Sequence, residues 1–235
     1  MRNNVKVLAI VCFWGLLQAS CTKSYIIGGQ TTNVNQYKDK TTYEVLSSIP
    51  QFSLLVQLID AGGLEQQIDQ PNTTFFAVQD SGINKYLGER TIYLQATVNQ
   101  YAKFTMDSLL YYVKNNINGT RDSLLMYLVP DIATTPANLT TLGAIYPTAL
   151  AGDSAIISYE ITGIGATSIV STPPQVVYFT PLWSHYNLSL DSTAAIVPAT
   201  TGVHTLVATS FINTSNGVIN SLTYSADLYF YSSRH

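Results

Sequence analysis

The spacing of apolar residues changes at about residue 130 of this 235-residue chain. Before Pro130 they recur mainly at three- and four-residue intervals, which is the spacing of one face of an amphipathic helix. After Pro130, short runs rich in Val, Ile, Thr and Tyr alternate with Gly, Pro and Asn, which is typical of β-strands separated by turns. One strand-like run, Asn72 to Val78, precedes the change. Helices first and strands later predict an α+β fold rather than alternating βαβ units.

The first two helices have recognisable start and stop signals. Thr41 followed by Glu44 predicts a capping box at the start of the first helix, and Pro50 ends that helix. The run "QFSLLVQLIDAGG" carries leucines and an isoleucine at helical spacing, which predicts a second helix. A left-handed glycine, Gly62 or Gly63, is expected to end it.

Three more helices are predicted between the early strand and Pro130. The first is a short helix in "QDSGINKYLG", capped near Asp80. The other two lie in "TVNQYAKFTMDSLLYYVKNN" and "TRDSLLMYLV". Each of these two carries one predicted buried stripe; the residues are Leu109, Leu110 and Val113 in one, and Leu124, Leu125 and Leu128 in the other.

The second half of the chain contains six strand-like runs: "AIISYEIT", "TSIVS", "QVVYFTPL", "HTLVATSFIN", "GVINSLTY" and "DLYFY". The pair Asn216 and Gly217 lies between the fourth and fifth runs. Asn-Gly is the preferred central pair of a two-residue type I′ turn, because both positions need positive φ. The pattern therefore predicts a tight hairpin here, with a slightly longer loop and a bulge as the alternative.

The N-terminus has the pattern of a secretory signal peptide. Arg2 and Lys6 precede the short apolar run "VLAIVCFWGLL", which is too short to span a bilayer. The following "LLQASC" resembles the lipobox of bacterial lipoproteins, although Gln18 stands where the strict motif has Leu. The resemblance implies that residues 1–20 are removed and that Cys21 carries the lipid; an ordinary secretory signal is the alternative.

Residues 21–40 have no apolar periodicity, so they are predicted to be a flexible tether. A partly ordered N-terminal arm is the alternative. The second cysteine of the chain, Cys12, lies inside the signal peptide. The mature chain therefore holds one cysteine, which excludes an internal disulfide and a Cys-based zinc site.

Composition narrows the choice of partners. Charged residues make up 11% of the chain, against about 25% in typical domains. The formal net charge is −3 and there is no basic patch, so nucleic-acid binding is not expected. Uncharged polar residues and 16 tyrosines suit contact with sugars or with neutral protein surfaces.

Local motifs for catalysis are missing from the sequence. The three histidines are His185, His204 and His235, and their spacing matches no metal motif. There is no G-x-S-x-G elbow and no phosphate-binding glycine loop. Carboxylates are sparse, and no local motif brings two together as a glycosidase pair. We therefore expect no catalytic residue, no cofactor and no metal site.

Two segments resemble the signatures of the fasciclin domain. The first, "TTFFAVQDSGINKYL", resembles the strand and capped helix T-x-F-A-P-T-N-x-A-F, and the second, "NGVINSLTY", resembles the strand N-G-V-I-H-V-I-D. Val78 and Gln79 replace the Pro-Thr pair of the first signature, and Asn220 replaces the His of the second. The matching residues are Thr74, Phe76, Ala77, Asp80, Asn216, Gly217, Val218 and Ile219.

The resemblance implies one fasciclin-like domain over residues 41–231. Such a domain packs N-terminal helices on a mostly antiparallel β-sheet or β-wedge, and here it would carry an enlarged strand-rich insertion at about residues 140–201. The family's Tyr-His pair is incomplete, because in "LLMYLVP" Tyr127 is kept but Leu128 replaces the His, and in the alternative alignment to "LLYYV" Tyr112 stands in the His place. The integrin role linked to that pair is therefore not carried over.

The resemblance and the lipobox together imply a non-catalytic adhesion or binding module. It would be exported, anchored to the outer membrane by a lipid such as palmitate, and would bind a protein or glycan ligand. The alternative is a glycan-binding accessory lipoprotein of an outer-membrane polymer-uptake system, with Tyr178, Trp183 and Tyr186 as stacking platforms. Core packing of these rings is the favoured interpretation, and a hydrolase is the third possibility.

Overall fold

The computed structural model describes part of the unit that spans Asn33 to His235. The described residues are 35–161, 175–183, 186–188, 197–198 and 201–228. The predicted signal peptide, Cys21, the run "TSIVS" and most of "DLYFY" lie outside them.

The helices of the described chain lie almost entirely before residue 130. The α-helices are α1 (Thr42–Ser48), α2 (Ser53–Gly62), α3 (Glu65–Ile68), α4 (Asp80–Thr97), α5 (Met106–Lys114) and α6 (Thr120–Ser123). Short 3-10 helices span Pro50–Phe52, Ile117–Gly119 and Leu124–Tyr127.

The strands form one seven-stranded sheet. They are β1 (Thr73–Ala77), β2 (Leu128–Val129), β3 (Ala144–Pro147), β4 (Ser154–Ile161), β5 (Gln175–Leu182), β6 (Thr205–Asn213) and β7 (Gly217–Leu222). Their order is β2-β1-β7-β6-β5-β4-β3, and every neighbouring pair is antiparallel except β1 with β7. The predicted α+β fold with a mostly antiparallel sheet is confirmed.

One continuous core joins the N-terminal helices to the sheet. Phe52 and Leu58 from the helical half are fully buried in it, together with Phe76 of β1 and Phe179 of β5. The rings of Phe76 and Phe179 stack with their centroids 4.0 Å apart. Burying a large apolar side chain of this kind contributes about 1.5–3 kcal/mol, so this core holds the helices against the sheet.

The predicted signals of α1 and α2 are confirmed. The Glu44 amide donates to Thr41 Oγ1, and the Thr41 amide donates to Glu44 Oε2, which completes the capping box. Pro50 follows α1 and begins a 3-10 helix. Gly63 ends α2 in the left-handed conformation, with φ of 63°.

The helix predicted to be capped near Asp80 does begin there, but the prediction that it is short was wrong. Helix α4 runs for 18 residues, and its N-cap is Gln79, which makes no side-chain capping bond. The Asp80 carboxylate instead accepts hydrogen bonds from Ser53 Oγ (2.6 Å) and from the Leu54 amide (2.8 Å). Asp80 therefore supplies an acceptor to the start of α2, where unpaired backbone N–H groups need one.

The two other predicted helices are shorter than expected. Only Met106–Lys114 of the first is helical, and Thr105 caps it. The second divides into α6, a 3-10 helix and strand β2. Leu128 leaves the helical path because it pairs with Phe75 of β1, a partner far away in the sequence. Strand β3, which the pattern did not predict, pairs with β4 in the same way.

The residues that precede α1 belong to the folded unit from Asn35 onward. The Ser215 amide donates to the Lys40 carbonyl (2.8 Å), and Asn213 Nδ2 donates to Asn35 Oδ1 (2.8 Å). Tyr37 packs against the core. The last residues of the predicted tether thus contact the β6–β7 connection.

The predicted hairpin joins β6 to β7, but its turn is not type I′. Neither Asn216 nor Gly217 has positive φ. The connection spans residues 214–216. The Thr214 amide donates to the Gly217 carbonyl (3.0 Å), and the Gly217 amide donates to Thr214 Oγ1 (2.9 Å). The Thr214 hydroxyl thus accepts the hydrogen bond that a backbone carbonyl would accept in a type I′ turn.

Asn216 and Gly217 tie this hairpin to the start of the domain. Asn216 Oδ1 accepts from the Thr42 amide (2.8 Å), and the Asn216 carbonyl accepts from the Asn72 amide (2.7 Å). Gly217 lies so close to β1 that a Cβ there would overlap the carbonyl oxygen of Thr73. This glycine is needed for close backbone approach rather than for positive φ.

We expect Gly217→Ala to lower the free energy of unfolding by about 1–3 kcal/mol, because β1 and β7 must move apart to admit the methyl group. Gly88→Ala is the matched control, since a Cβ at Gly88 of α4 meets nothing within 4 Å. Alanine is the better helix former, so the control should gain about 0.5–1 kcal/mol. Urea unfolding of both variants checks this, and equal effects of the two substitutions would contradict it.

Candidate functional site

The face of β4 and β5 that points away from the main core carries a group of polar side chains that the sequence did not predict. Side chains alternate across a strand. Ile157 of β4 and Phe179 of β5 therefore point into the main core. The residues of the opposite face are Ile156, Ser158 and Glu160 on β4, and Tyr178, Thr180 and Leu182 on β5.

His204, directly before β6, joins this face into a network. Its Nδ1 lies 3.0 Å from Thr180 Oγ1, and its Nε2 lies 3.5 Å from Glu160 Oε2. Ser158 Oγ donates to Glu160 Oε1 over 2.6 Å. The His204 ring stacks on Tyr178 with centroids 4.0 Å apart and an interplanar angle of 12°. One imidazole thus links three strands.

Burial and hydrogen bonding oppose each other at Glu160. Burial of this side chain, which is 12% exposed, would raise the pKa of its carboxyl. The hydrogen bonds from His204 and Ser158 outweigh burial, so the pKa of Glu160 lies below its usual value. Burial raises the pKa of the Tyr178 hydroxyl. Glu160 is therefore ionised and held in place at neutral pH.

The order Thr180, His204, Glu160 has the outline of a nucleophile, a base and an orienting acid. A nucleophile must meet its substrate, however, and Thr180 is completely buried. Its hydroxyl faces the imidazole inside the network. The arrangement fits cross-linking of β4, β5 and the start of β6 better than acyl transfer.

The three candidate stacking residues are all half-buried. One face of the Tyr178 ring is covered by His204. Tyr186 packs against a small satellite cluster formed by Ile156, Leu182 and Val197. The Trp183 amide donates to the carbonyl of Thr201 (3.0 Å). Tyr178 and Tyr186 thus contact protein neighbours on this face.

The strands of the two predicted signatures, β1 and β7, are neighbours in the sheet. β1 and β7 pair in parallel, with Thr74 opposite Val218 and Phe76 opposite Asn220. Ala77, Val218 and Ile219 are buried, as are Thr74 and Phe76. These positions are therefore structural.

Asn220, which replaces the signature His, is completely buried, and both ends of its amide group are hydrogen-bonded. Its Oδ1 accepts from the Phe211 amide (2.8 Å), and its Nδ2 donates to Thr134 Oγ1 (3.1 Å). Phe211 has φ of 60° at an irregularity in β6. Positive φ at a bulky residue is strained, so the Asn220 side chain holds a local distortion of the ribbon. Tyr127, the remaining half of the Tyr-His pair, is likewise buried.

A cavity of about 270 Å³ adjoins the His204 network. It lies between the start of β6 and the segment that follows β7, and its lining includes His204, Thr223, Ser225 and Asp227. A shallower groove lies beside α1, lined by Asp39, Lys40, Tyr43, Glu44, Ser47 and Ser48. Among the described residues, no group of three or more His, Cys, Asp or Glu side chains has the geometry of a metal site.

Exposed apolar side chains are concentrated elsewhere, around the end of α4 and on α5. The most exposed large ones in the described chain between residues 92 and 111 are Ile92, Tyr93, Val98, Tyr101 and Tyr111. Gln95 Nε2 donates to the Ala102 carbonyl (3.2 Å), which folds the connection back on α4. This surface and the His204 face lie on different elements, so they can be altered independently.

Of the three comparisons with known proteins, the one with solved structures gave a match. No protein-family model matches the chain, and no curated protein matches it. Among solved structures, the chain is similar to a FAS1 domain pair from the insect cell adhesion molecule Fasciclin I, with 15% sequence identity and a TM-score of 0.45. The match covers 83% of this chain and 52% of that chain, so this chain spans about half the length of the domain pair.

The helices of the described residues were also compared with the requirements of a membrane span. None of them alone combines the necessary length and hydropathy; one pair, Thr42–Ser48 with Pro50–Gly62, reaches them together but is bent by 107°.

Stability should depend on the charge of Glu160. Because its pKa is lower in the folded than in the unfolded chain, its contribution is present above its usual value of 4.5 and is lost as the pH falls toward the folded pKa. We expect Glu160→Gln to cost about 1.5–3 kcal/mol at pH 6, as for other hydrogen bonds to a charged group. The difference from wild type should shrink between pH 5 and pH 3.

Urea unfolding at pH 6, 5, 4 and 3 measures this difference. Asp107→Asn, at an exposed position in the first turn of α5, is the control for the general loss of one negative charge. A Glu160→Gln difference that stayed constant or grew on acidification would show that the His204 network does not depend on the carboxylate charge.

Proposed function

We propose that this chain is a non-catalytic binding module of the fasciclin type that acts in adhesion outside the cytoplasm. The observation that carries the proposal is the pairing of its two signature-like segments. They are separated by most of the chain, yet β1 and β7 are direct neighbours, with Phe75 opposite Ile219. Two segments that resemble one family's signatures and meet in register support a common origin better than either segment alone.

The geometry of the polar face supports binding rather than catalysis. His204, the histidine of this face within the described residues, contacts Thr180 and Glu160, and the Thr180 hydroxyl that would serve as nucleophile is buried. A rigid domain whose polar network is closed is suited to presenting its exposed surface to a binding partner. Adhesion modules of this kind act through many weak contacts, and display of many copies can raise overall avidity by about 10²–10⁴.

We further propose that a lipid on Cys21 anchors the module to the outer membrane. The support is the sequence alone: a basic start, a short apolar run and "LLQASC". Folded structure is described from residue 35 onward. In this proposal, the chain between Cys21 and Asn35 would separate the head from the bilayer by up to about 3.3–3.6 Å per residue.

A glycan-binding accessory role is the second candidate, but the ring positions first considered for it do not favour it. The Tyr178 ring is stacked on His204, and Tyr186 packs on the satellite cluster. A sugar would have to displace one of these contacts in order to stack there.

Bead adhesion tests the binding function. Beads that carry residues 22–235 at graded densities are mixed with each other and with bacterial cells, and their retention is measured under flow. We expect retention to rise more steeply than density, because avidity depends on simultaneous contacts. Beads that carry an unrelated protein of similar net charge are the control. Retention no greater than that of the control at every density would refute adhesion.

Lipid anchoring is tested with the two cysteines of the chain. The full chain is expressed in a Gram-negative host with labelled palmitate, as wild type, Cys21→Ser and Cys12→Ser. We expect the label and the membrane fraction to be retained by Cys12→Ser and lost by Cys21→Ser. Mass spectrometry of the N-terminal peptide identifies the acyl chains. Equal labelling of the two variants would exclude the lipid at Cys21. The absence of label from both variants and from the wild type would also exclude it.

A further inference from the structure

The cavity beside His204 is formed by two fixed walls. One wall is the start of β6, from Val203 to Leu206, and the other is the segment from Thr223 to Asp227. The Thr223 amide donates to the Leu206 carbonyl over 3.1 Å, which joins the walls at one end. The cavity volume of about 270 Å³ is just below the 300–1,000 Å³ typical of sites for drug-sized ligands.

The second wall is held against α4. A Cβ on Gly82 would overlap the carbonyl oxygen of Ala226, so the glycine permits this close approach. Lys85 Nζ of the same helix lies 2.5 Å from Asp227 Oδ1. The Ala226 amide donates to the Thr223 carbonyl (3.0 Å), which closes a turn. The cavity is therefore preorganised, and a ligand would bind without first ordering the protein.

The charges of the lining select against an ionic ligand. The two ionisable lining groups have partners of opposite sign, since Asp227 pairs with Lys85 and His204 lies beside Glu160. An anionic or cationic ligand would lose part of its hydration on binding, and the site has no net charge of opposite sign to compensate. That desolvation is costly. A neutral ligand avoids this cost.

The polar groups of the lining match hydroxyl groups. The Thr205 hydroxyl donates to the Val203 carbonyl (3.2 Å), so it offers a ligand acceptor positions. The hydroxyls of Thr223 and Ser225 are hydrogen-bonded to each other, so the pair offers a ligand one donor together with acceptor positions. The oxygens of these two hydroxyls lie 3.3 Å apart, so neighbouring hydroxyl groups of a ligand can contact both of them. The Asp227 carboxylate adds acceptor capacity, because a carboxylate accepts about four hydrogen bonds.

Apolar atoms complete the match. Leu206 and Ala226 line the cavity beside the hydroxyls. The ring of Tyr224, between Thr223 and Ser225 in sequence, is 76% exposed and lies next to the lining segment along the chain. A pyranose ring also presents hydroxyl groups on one side and C–H surface on the other, so both parts of the lining have a matching part on the sugar.

We propose that this cavity binds one neutral sugar residue, either free or at the end of a glycan. The inference rests on the binding function proposed above, for which it names a ligand class, and it places the site at His204, Thr223 and Ser225 rather than at the rings of Trp183 and Tyr186.

Saturation-transfer difference NMR with residues 22–235 tests the proposal. The probes are D-glucose, D-galactose, D-mannose and N-acetyl-D-glucosamine, with D-glucuronate and D-glucosamine as charged comparators. We expect at least one neutral sugar to give a saturable signal with a Kd on the order of 1 mM. The charged comparators should bind at least about 10-fold more weakly.

Two substitutions locate the site. Ser225→Trp fills the cavity from an exposed position and should weaken binding at least about 10-fold, whereas Thr141→Trp, at an exposed position before β3, should leave the Kd unchanged. Ser225→Ala removes only one hydroxyl and should weaken binding about 3- to 10-fold. Thermal unfolding confirms that each variant is folded; if Ser225→Trp is not, Ser225→Ala decides.

The proposal is overturned if no neutral sugar gives a saturable signal, if a charged comparator binds more tightly than every neutral sugar, or if Ser225→Ala and Ser225→Trp both bind as wild type does. Bead adhesion that persists in Ser225→Trp while sugar binding is lost would assign adhesion to another surface. Failed adhesion with intact sugar binding would refute the adhesion function and keep this site.

Discussion

The parallel contact between β1 and β7 is the interaction on which the rest of the domain depends. On one side of this contact, β1 pairs with β2. On the other side, β7 pairs with β6, and the sheet continues through β5 and β4 to β3. This single pairing therefore joins two otherwise separate groups of strands. Gly217 permits the close approach and Asn216 extends the contact to the first turn of α1. Without it the helices and the strand-rich half would share a core but no continuous hydrogen-bonded sheet.

Hydroxyl and amide groups carry most of the polar contacts inside this domain. Asn220 holds the irregularity in β6, and Thr74 donates to the Ile132 carbonyl over 2.6 Å. Buried polar groups are tolerated when they are hydrogen-bonded. With so few charged residues in the chain, such neutral contacts position the polar face, and the His204–Glu160 contact is one of its few ionic elements.

Local signals were sufficient for some elements and insufficient for others. The capping box at Thr41, the left-handed Gly63 and the strand at β1 were predictable, because each depends on residues close together in sequence. Strand β2 was missed because its conformation is set by pairing with β1. The turn at Asn216 was misread, since contacts with Thr42 and Asn72 override its preference for positive φ.

The candidate site shows the same limit. Glu160 lies on β4 and His204 lies directly before β6, and β5 stands between these two strands in the sheet. No spacing in the sequence could bring them together. Alternation along β4 could have shown that Ser158 and Glu160 share one face, but only the pairing of β4 with β5 places Tyr178 and Thr180 beside them.

The position of β7 also bears on how the chain is made. Thr73 of β1 must pair with Gly217 of β7, although all the other strands lie between these two in sequence. Contacts between such distant residues slow folding, because a long loop must close first. The edge of β1 that faces β7 therefore stays unpaired until β7 has been synthesised, and an unpaired strand edge is prone to aggregation in that interval.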